Sequence, residues 1–203
     1  MKNDENYCKS VENMLFYIRN ISEKGGIKMP DGIEIERKYI IHMPIIEEIS
    51  SFPEYTISHI TQTYLKSGDG STLRVRKREY GDKISYTETR KIPIDKISVE
   101  EIEREISDAE YLDLIKNARD DSSPIIKTRH TFEYLGHTVE VDVYPQWSDF
   151  CIMETELESR DEVVEYPSAI KILREVTGDK RYSNAGMAKE FPPEPKMGEA
   201  MEQ

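Results

Sequence analysis

The chain has 203 residues, 33% of them charged, and 28 Lys and Arg stand against 40 Asp and Glu for a formal net charge of −12. That length supports one substantial core with appendages, and the acidic balance argues against nonspecific binding to nucleic acid. Cys8 and Cys151 are too few and too far apart for a disulfide framework or a cysteine zinc site; the four histidines lack ligand spacing, and no apolar run reaches bilayer length.

Residues 1–32 read as an N-terminal extension. Val11, Leu15 and Ile18 recur at helical spacing with Met14 and Ile21 beside them, which predicts a short amphipathic helix ended by Gly25-Gly26. Met1 to Asn20 lacks the uninterrupted apolar core of a signal peptide, so a cytoplasmic setting is expected, with no membrane partner. Met29-Pro30-Asp31-Gly32 then turns the chain into its first strand.

That strand, Ile33-Glu34-Ile35-Glu36-Arg37-Lys38-Tyr39, places Glu34, Glu36 and Lys38 on one face. Two carboxylates about 7 Å apart on one face call for a cation between them, and a divalent metal is the economical choice. After a briefly helical stretch from Pro44 to Tyr55, a second strand over Ser58–Lys66 aligns Gln62, Tyr64 and Lys66. Gly68-Asp69-Gly70 reads as a hairpin turn into Ser71–Tyr80, which aligns Arg74, Arg76 and Arg78 against Leu73 and Val75. Lys83–Ile92 aligns Ser85, Thr87, Thr89 and Lys91, and the neighbouring Arg90 leaves its phase open. Val99–Ser107 aligns Glu101, Glu103 and Glu105.

Ser107 with Glu110 three residues on is a helix-start signature. The sixth strand, Ile125–Tyr134, carries Lys127 and Arg129, and the seventh alternates Glu140, Asp142 and Tyr144 with Val139, Val141 and Val143. The eighth, Phe150–Glu158, carries Glu154 and Glu156. Pro167 to Val176 predicts a helix on the stripe Ile170, Leu173 and Val176; Tyr182 to Phe191 predicts a short helix or coil, and residues 191–203 a flexible tail.

Eight strands joined by short turns favour an α+β fold built on a closed antiparallel β-barrel with helices packed outside. Solvated faces tend to mix charge signs within a strand, whereas here whole strands are basic or acidic. Two such walls facing one another across a ligand would form a polar tunnel, costly when empty and relieved by metal on the acidic side and a polyanion on the basic side.

In this order the motifs resemble the CYTH, or triphosphate tunnel metalloenzyme, superfamily. Glu34-x-Glu36-x-Lys38 is similar to its E-x-E-x-K signature. The series runs on through Gln62-Thr63-Tyr64-Leu65, Arg74-Val75-Arg76, Lys91, Ile126-Lys127-Thr128-Arg129, Glu140-Val141-Asp142, Glu154-Thr155-Glu156 and the segment from Glu175 to Asn184. The resemblance covers roughly residues 33–190 and implies an eight-stranded triphosphate tunnel that uses Mg2+ or Mn2+. It implies Glu34, Glu36, Glu154, Glu156 and Asp142 or Glu140 as metal ligands, a carboxylate set suited to a hard cation. It implies Lys38, Arg74, Arg76, Lys91, Lys127 and Arg129 as triphosphate contacts, with Lys180 or Arg181 at a tunnel mouth; Lys38, Arg76, Lys127 and Arg129 stand closest to the chemistry.

The expected activity is metal-dependent hydrolysis of a small triphosphate, tripolyphosphate foremost, by a monomer or homodimer. Cyclisation of ATP to cyclic AMP, hydrolysis of thiamine triphosphate and non-catalytic polyphosphate or nucleotide binding are the alternatives. No base-recognition signature chooses among the substrates.

Overall fold

The computed structural model describes residues 33–68, 71–93, 98–159 and 161–196, with backbone alone at Ile33, Glu34, Pro93, Ser98 and Val99. The expected N-terminal helix, the Glu34 side chain and residues 197–203 of the expected tail lie outside the described residues.

Nine antiparallel strands make one sheet: β1 (Ile33–His42), β2 (Thr56–Leu65), β3 (Thr72–Tyr80), β4 (Lys83–Pro93), β5 (Ser98–Glu105), β6 (Ile125–Tyr134), β7 (His137–Val143), β8 (Phe150–Glu156) and β9 (Ile172–Glu175). Their order is β5-β4-β3-β2-β6-β7-β8-β1-β9. Three short α-helices, α1 (Ile46–Ile49), α2 (Asp108–Leu114) and α3 (Asn184–Lys189), complete the described elements, with 3-10 turns at Ile115–Asn117 and Lys180–Tyr182.

The closed eight-stranded barrel expected from the sequence is not what forms. The ends of the sheet meet where Ile33, Glu34 and Ile35 of β1 pair with Glu100, Val99 and Ser98 of β5. Further along, β9 takes the same edge of β1, pairing Tyr39 with Glu175 and Ile40 with Arg174, so β1 and β5 do not zip along their length. The predicted helix over residues 167–176 is therefore β9 at its C-terminal end. Its apolar residues at helical spacing serve different cores: Ile170 packs with Tyr39 and Ile41, whereas Val176 packs with Ile40 and Ile152.

Period-2 alternation explains the two cores. Tyr39, Ile41, Val139, Val141, Cys151 and Met153 face outward, where Ile49 of α1 and Phe132 cover them. On the inner face Ile40, Ile152, Tyr144, Phe150 and Ile125 meet Trp147, Tyr182 and Met187 and fill one end of the sheet's interior. The charged residues of the same inner faces lie beyond this apolar floor. A third cluster seats α2 through Tyr111 against Leu65, Val75 and Ile106. That helix starts as expected, with the Ser107 side chain accepting from the Glu110 N–H at 3.2 Å.

Tight turns hold the register. Gly81 (φ 55°) joins β3 to β4; Leu135 (φ 50°) and Gly136 (φ 86°) join β6 to β7, both in the positive-φ region that primed hairpin turns require. The tail is docked over residues 191–196, against expectation: Trp147 Nε1 donates to the Pro192 carbonyl at 3.1 Å, and Glu194 Oε1 accepts from the Ser148 and Asp149 N–H groups. No helix among the described residues is long and apolar enough to cross a membrane.

Candidate active site

The inner faces line a half-open cavity of about 760 Å³ above the apolar floor. Lys38, Arg74, Arg76, Lys91, Lys127, Arg129 and Lys180 bring cations to its wall; Glu36, Glu101, Glu103, Glu140, Glu154, Glu156 and Asp179 bring carboxylates. Strand register explains the grouping. Lys38 lies opposite Glu154, Glu36 opposite Glu156, and Glu140 opposite Glu154, which builds a mainly acidic side from β1, β7 and β8. Across the sheet, Tyr64 lies opposite Arg74, Arg74 opposite Thr89, and Thr72 opposite Lys91. Register thus settles the phase of β4: Lys91 lines the cavity and Arg90, opposite Ile102, is exposed.

The walls do not stand as two unrelieved sheets of charge. Lys38 Nζ meets Glu154 at 2.8 Å and Glu36 at 3.4 Å. Arg129 is the hub: Nε and Nη2 donate to the two Asp142 oxygens at 2.7 Å each, Nη2 also reaches Glu154 at 2.8 Å, and Nη1 pairs with Glu140. Lys127 pairs with Asp142 and lies 6.0 Å from the centre of the Tyr144 ring. Glu101 joins Arg74, at 3.1 Å, to Lys91. Glu103, an exposed residue, accepts from Thr89 Oγ1 at 2.7 Å on the cavity wall.

Burial and pairing set the protonation states. Burial opposes charge on Lys38, yet Glu154 and Glu36 hold its ammonium above the ordinary range. Burial likewise opposes ionisation of Glu154, and Lys38, Lys127 and Arg129 together hold its carboxyl well below the ordinary range. At Glu140 burial wins and raises the carboxyl despite Arg129. Burial and then the Arg129 charge pull Lys127 down to about 8. Arg76 is lowered to about 10 by burial and by its neighbours Arg74 and Arg129. Its guanidinium has no ion pair among the described residues, and its buried Nε has no hydrogen-bond partner. Burial pushes Tyr64 up to about 12; its hydroxyl accepts from Gln62 Nε2 at 2.7 Å.

Two expected site residues are placed apart from the cavity wall. Asp142 is fully buried beneath it, with both oxygens taken by Lys127 and Arg129, and so positions those cations where a metal ligand was expected. The Arg181 side chain is 74% exposed and folds back on Asp179 at 2.7 Å, which leaves Lys180 as the cation at the wall. Sequence reasoning missed the tether behind Lys180. Thr177 Oγ1 accepts from the Lys38 N–H at 3.0 Å, the Val176 N–H donates to the Lys38 carbonyl at 2.8 Å, and the chain from Thr177 to Asn184 lines the cavity.

For a metal the donors are carboxylates. Glu36 and Glu156 face each other in register on the wall, and Glu156 has no cationic partner among the described residues, an arrangement that favours a bound cation. No group of three or more His, Cys, Asp or Glu side chains gathers for a metal among the described residues, from which the Glu34 side chain is absent.

No protein-family model matches the chain, and no curated protein sequence matches it. Similar solved structures include the inorganic triphosphatase NE1496, 26% identical over 78% of this chain and 96% of that one, with a TM-score of 0.46. PH1819 from Pyrococcus horikoshii OT3 is 23% identical over 63% of this chain and 80% of that one, with a TM-score of 0.50, and shares the fold. A putative adenylyl cyclase from Hippeastrum, HpAC1, described as having a dominant triphosphatase activity, is 17% identical over 61% of this chain and 80% of that one, with a TM-score of 0.37.

Proposed function

We propose that this chain, a CYTH-superfamily protein on its motifs and fold, is a divalent-metal-dependent triphosphatase that releases the terminal phosphate of tripolyphosphate. The observation that carries the reading is the half-open cavity with cations from β1, β3, β4, β6 and the C-terminal segment on its wall. Arg76 in particular presents a guanidinium with no ion-paired carboxylate among the described residues, which suits a phosphate.

In this reading Arg74, Arg76, Lys91 and Lys127 hold phosphate oxygens, and Lys38 and Arg129 join them by exchanging part of their carboxylate contacts for the ligand. Cations placed before the substrate arrives stabilise charge that shifts onto the leaving oxygens without reorganising during the step. Asp142 fixes the directions of Lys127 and Arg129. Glu36, Glu156, Glu154 and Glu140 would hold Mg2+ or Mn2+, with Glu34 as a further ligand from β1. A bound divalent ion supplies charge neutralisation and activation of water for in-line attack. Cationic residues outnumber the apolar Tyr64, Val176 and Ala185 on the cavity wall, which favours inorganic triphosphate over ATP.

The test is phosphate release from tripolyphosphate, ATP and thiamine triphosphate, with cyclic AMP followed in parallel. Tripolyphosphate should be turned over fastest with Mg2+ or Mn2+, and EDTA should abolish release. Full activity after exhaustive chelation removes the metal from the account, and tight binding without turnover makes the protein a binding module.

A further inference from the structure

The outer face of β4 and β5 carries an apolar patch left bare by the described residues. Lys91, Glu101 and Glu103 line the cavity, so strand alternation turns Ile92 and Ile102 outward. Ile92 lies opposite Glu100 and Ile102 opposite Arg90, which makes the two isoleucines diagonal neighbours on that face. They are 37% and 54% exposed, respectively. α2 covers Leu65, Val75 and Ile106 through Tyr111 and stops short of this pair. Beyond Glu100 the far edge of β5 also lacks a strand partner among the described residues. Exposed sheet edges with an apolar face are normally covered.

The chain itself brings a cover to this spot. β1 begins at Ile33, whose backbone pairs with Glu100, so residues 1–32 join the sheet beside the patch. Continuing that register would set Gly32 against Glu101 and Pro30 against Glu103, and both residue types are poor in strands, so the sequence disfavours a longer β1 along this edge. It predicts instead a helix whose stripe of Val11, Leu15 and Ile18, with Met14 and Ile21, needs an apolar surface to bury it. Residues 22–32 reach at most about 36 Å when extended, and a helix from Val11 to Ile21 is about 16 Å long, so the tether lets the stripe lie over Ile92 and Ile102. Ile57 and Ile126, also exposed, sit on β2 and β6, three and four strands away from β5.

We propose that residues 11–21 form an amphipathic helix that docks on the outer face of β4 and β5 of its own chain, with Val11, Leu15 and Ile18 seated on Ile92 and Ile102. The docked helix covers the free edge of β5 and holds the short seam at which Ile33–Ile35 meet Ser98–Glu100. Because the contact is intramolecular, a patch too small to hold a separate chain suffices. The docking stands whether or not the cavity hydrolyses triphosphate.

The test is hydrogen–deuterium exchange on the full chain, as wild type and as Leu15→Asp, Ile102→Asp and Ile126→Asp. In wild type the amides of residues 11–21 should exchange at least about tenfold more slowly than in an unstructured chain, independently of protein concentration. Leu15→Asp and Ile102→Asp should each erase that protection, while Ile126→Asp, on the same outer face, leaves it in place. The amides of β7 and β8 are the folding control; if Ile102→Asp deprotects them too, Ile102→Asn takes its place. Unprotected residues 11–21 in wild type overturn the proposal. Protection that survives the Ile102 variant also overturns it, since the helix would then be seated elsewhere. Protection seen only at high protein concentration does the same, because a second copy would be the occupant.

Discussion

Arg76 and Asp142 show how single residues divide the work of the cavity. Arg76 carries a charge that burial, Arg74 and Arg129 all disfavour and that Glu103 and Glu101 offset only in part, and it forms no ion pair among the described residues. Arg76→Ala should therefore cost turnover of tripolyphosphate at least about tenfold, while thermal stability holds or rises. Steady-state kinetics beside a melting curve checks both halves. Asp142 is the opposite case, since Lys127 and Arg129 both depend on it. Asp142→Asn leaves those cations with a neutral partner, and urea unfolding should show a loss of about 3–5 kcal/mol. Lys127 gives a pH signature. Its folded value, about 8, lies below the unfolded value of 10.5, so between the two the unfolded chain binds more protons. Stability from this group thus rises with pH across that window. Over the same window phosphate affinity should fall as the ammonium is lost. The melting temperature of wild type relative to Lys127→Met should climb from pH 7.5 to 9.5; a falling difference would contradict the burial argument. The sequence located these residues because charge alternates with period two on each strand. It could not rank them, because whether a carboxylate meets a metal or a lysine depends on cross-strand register.

At the scale of elements, eight strands and the capped helix after Ser107 were readable from alternation and turn residues. Removing that cap by Ser107→Ala should cost about 1 kcal/mol in urea unfolding, and Ser107→Asp should restore most of it. The stretch ending in β9 was misread because Ile170, Leu173 and Val176 fit a helical stripe, and only the free edge of β1 explains why the chain pairs there. The segment after β9 was legible as a family motif but not as a wall. Its geometry turns on Gly186, where an added Cβ would collide with the Lys180 carbonyl, while the Gly186 N–H donates to Ser183 Oγ at 3.0 Å. Gly186→Ala should displace the turn that carries Lys180, at a cost of about 1–3 kcal/mol. Its KM for tripolyphosphate should rise by more than its kcat falls. Unchanged kinetics in a destabilised variant would make this turn a structural strut only.

For the whole molecule, the sequence implied two opposed charged walls closed into a barrel, and the structure places the charges but resolves them differently. The sheet ends meet over three residue pairs, β9 occupies the remaining edge, and most enclosed charges are paired within the protein. On the proposed function, ligand binding would exchange internal ion pairs for contacts to phosphate and metal. The two ligands would then be interdependent: a triphosphate would draw Lys38 and Arg129 from the carboxylates, and a divalent ion would take their place. The most direct test of the account is the melting temperature with Mg2+ alone, tripolyphosphate alone, and both. At a hundredfold excess over Kd, linkage predicts a joint rise of about 5–10 °C for a domain of this size, larger than the sum of the separate rises. In the double variant Glu36→Gln with Glu156→Gln that joint increment should largely vanish, while the unliganded melting temperature stays at or above wild type. Additive, salt-like shifts in wild type, or an undiminished increment in the variant, would contradict a coupled metal and triphosphate site in this cavity.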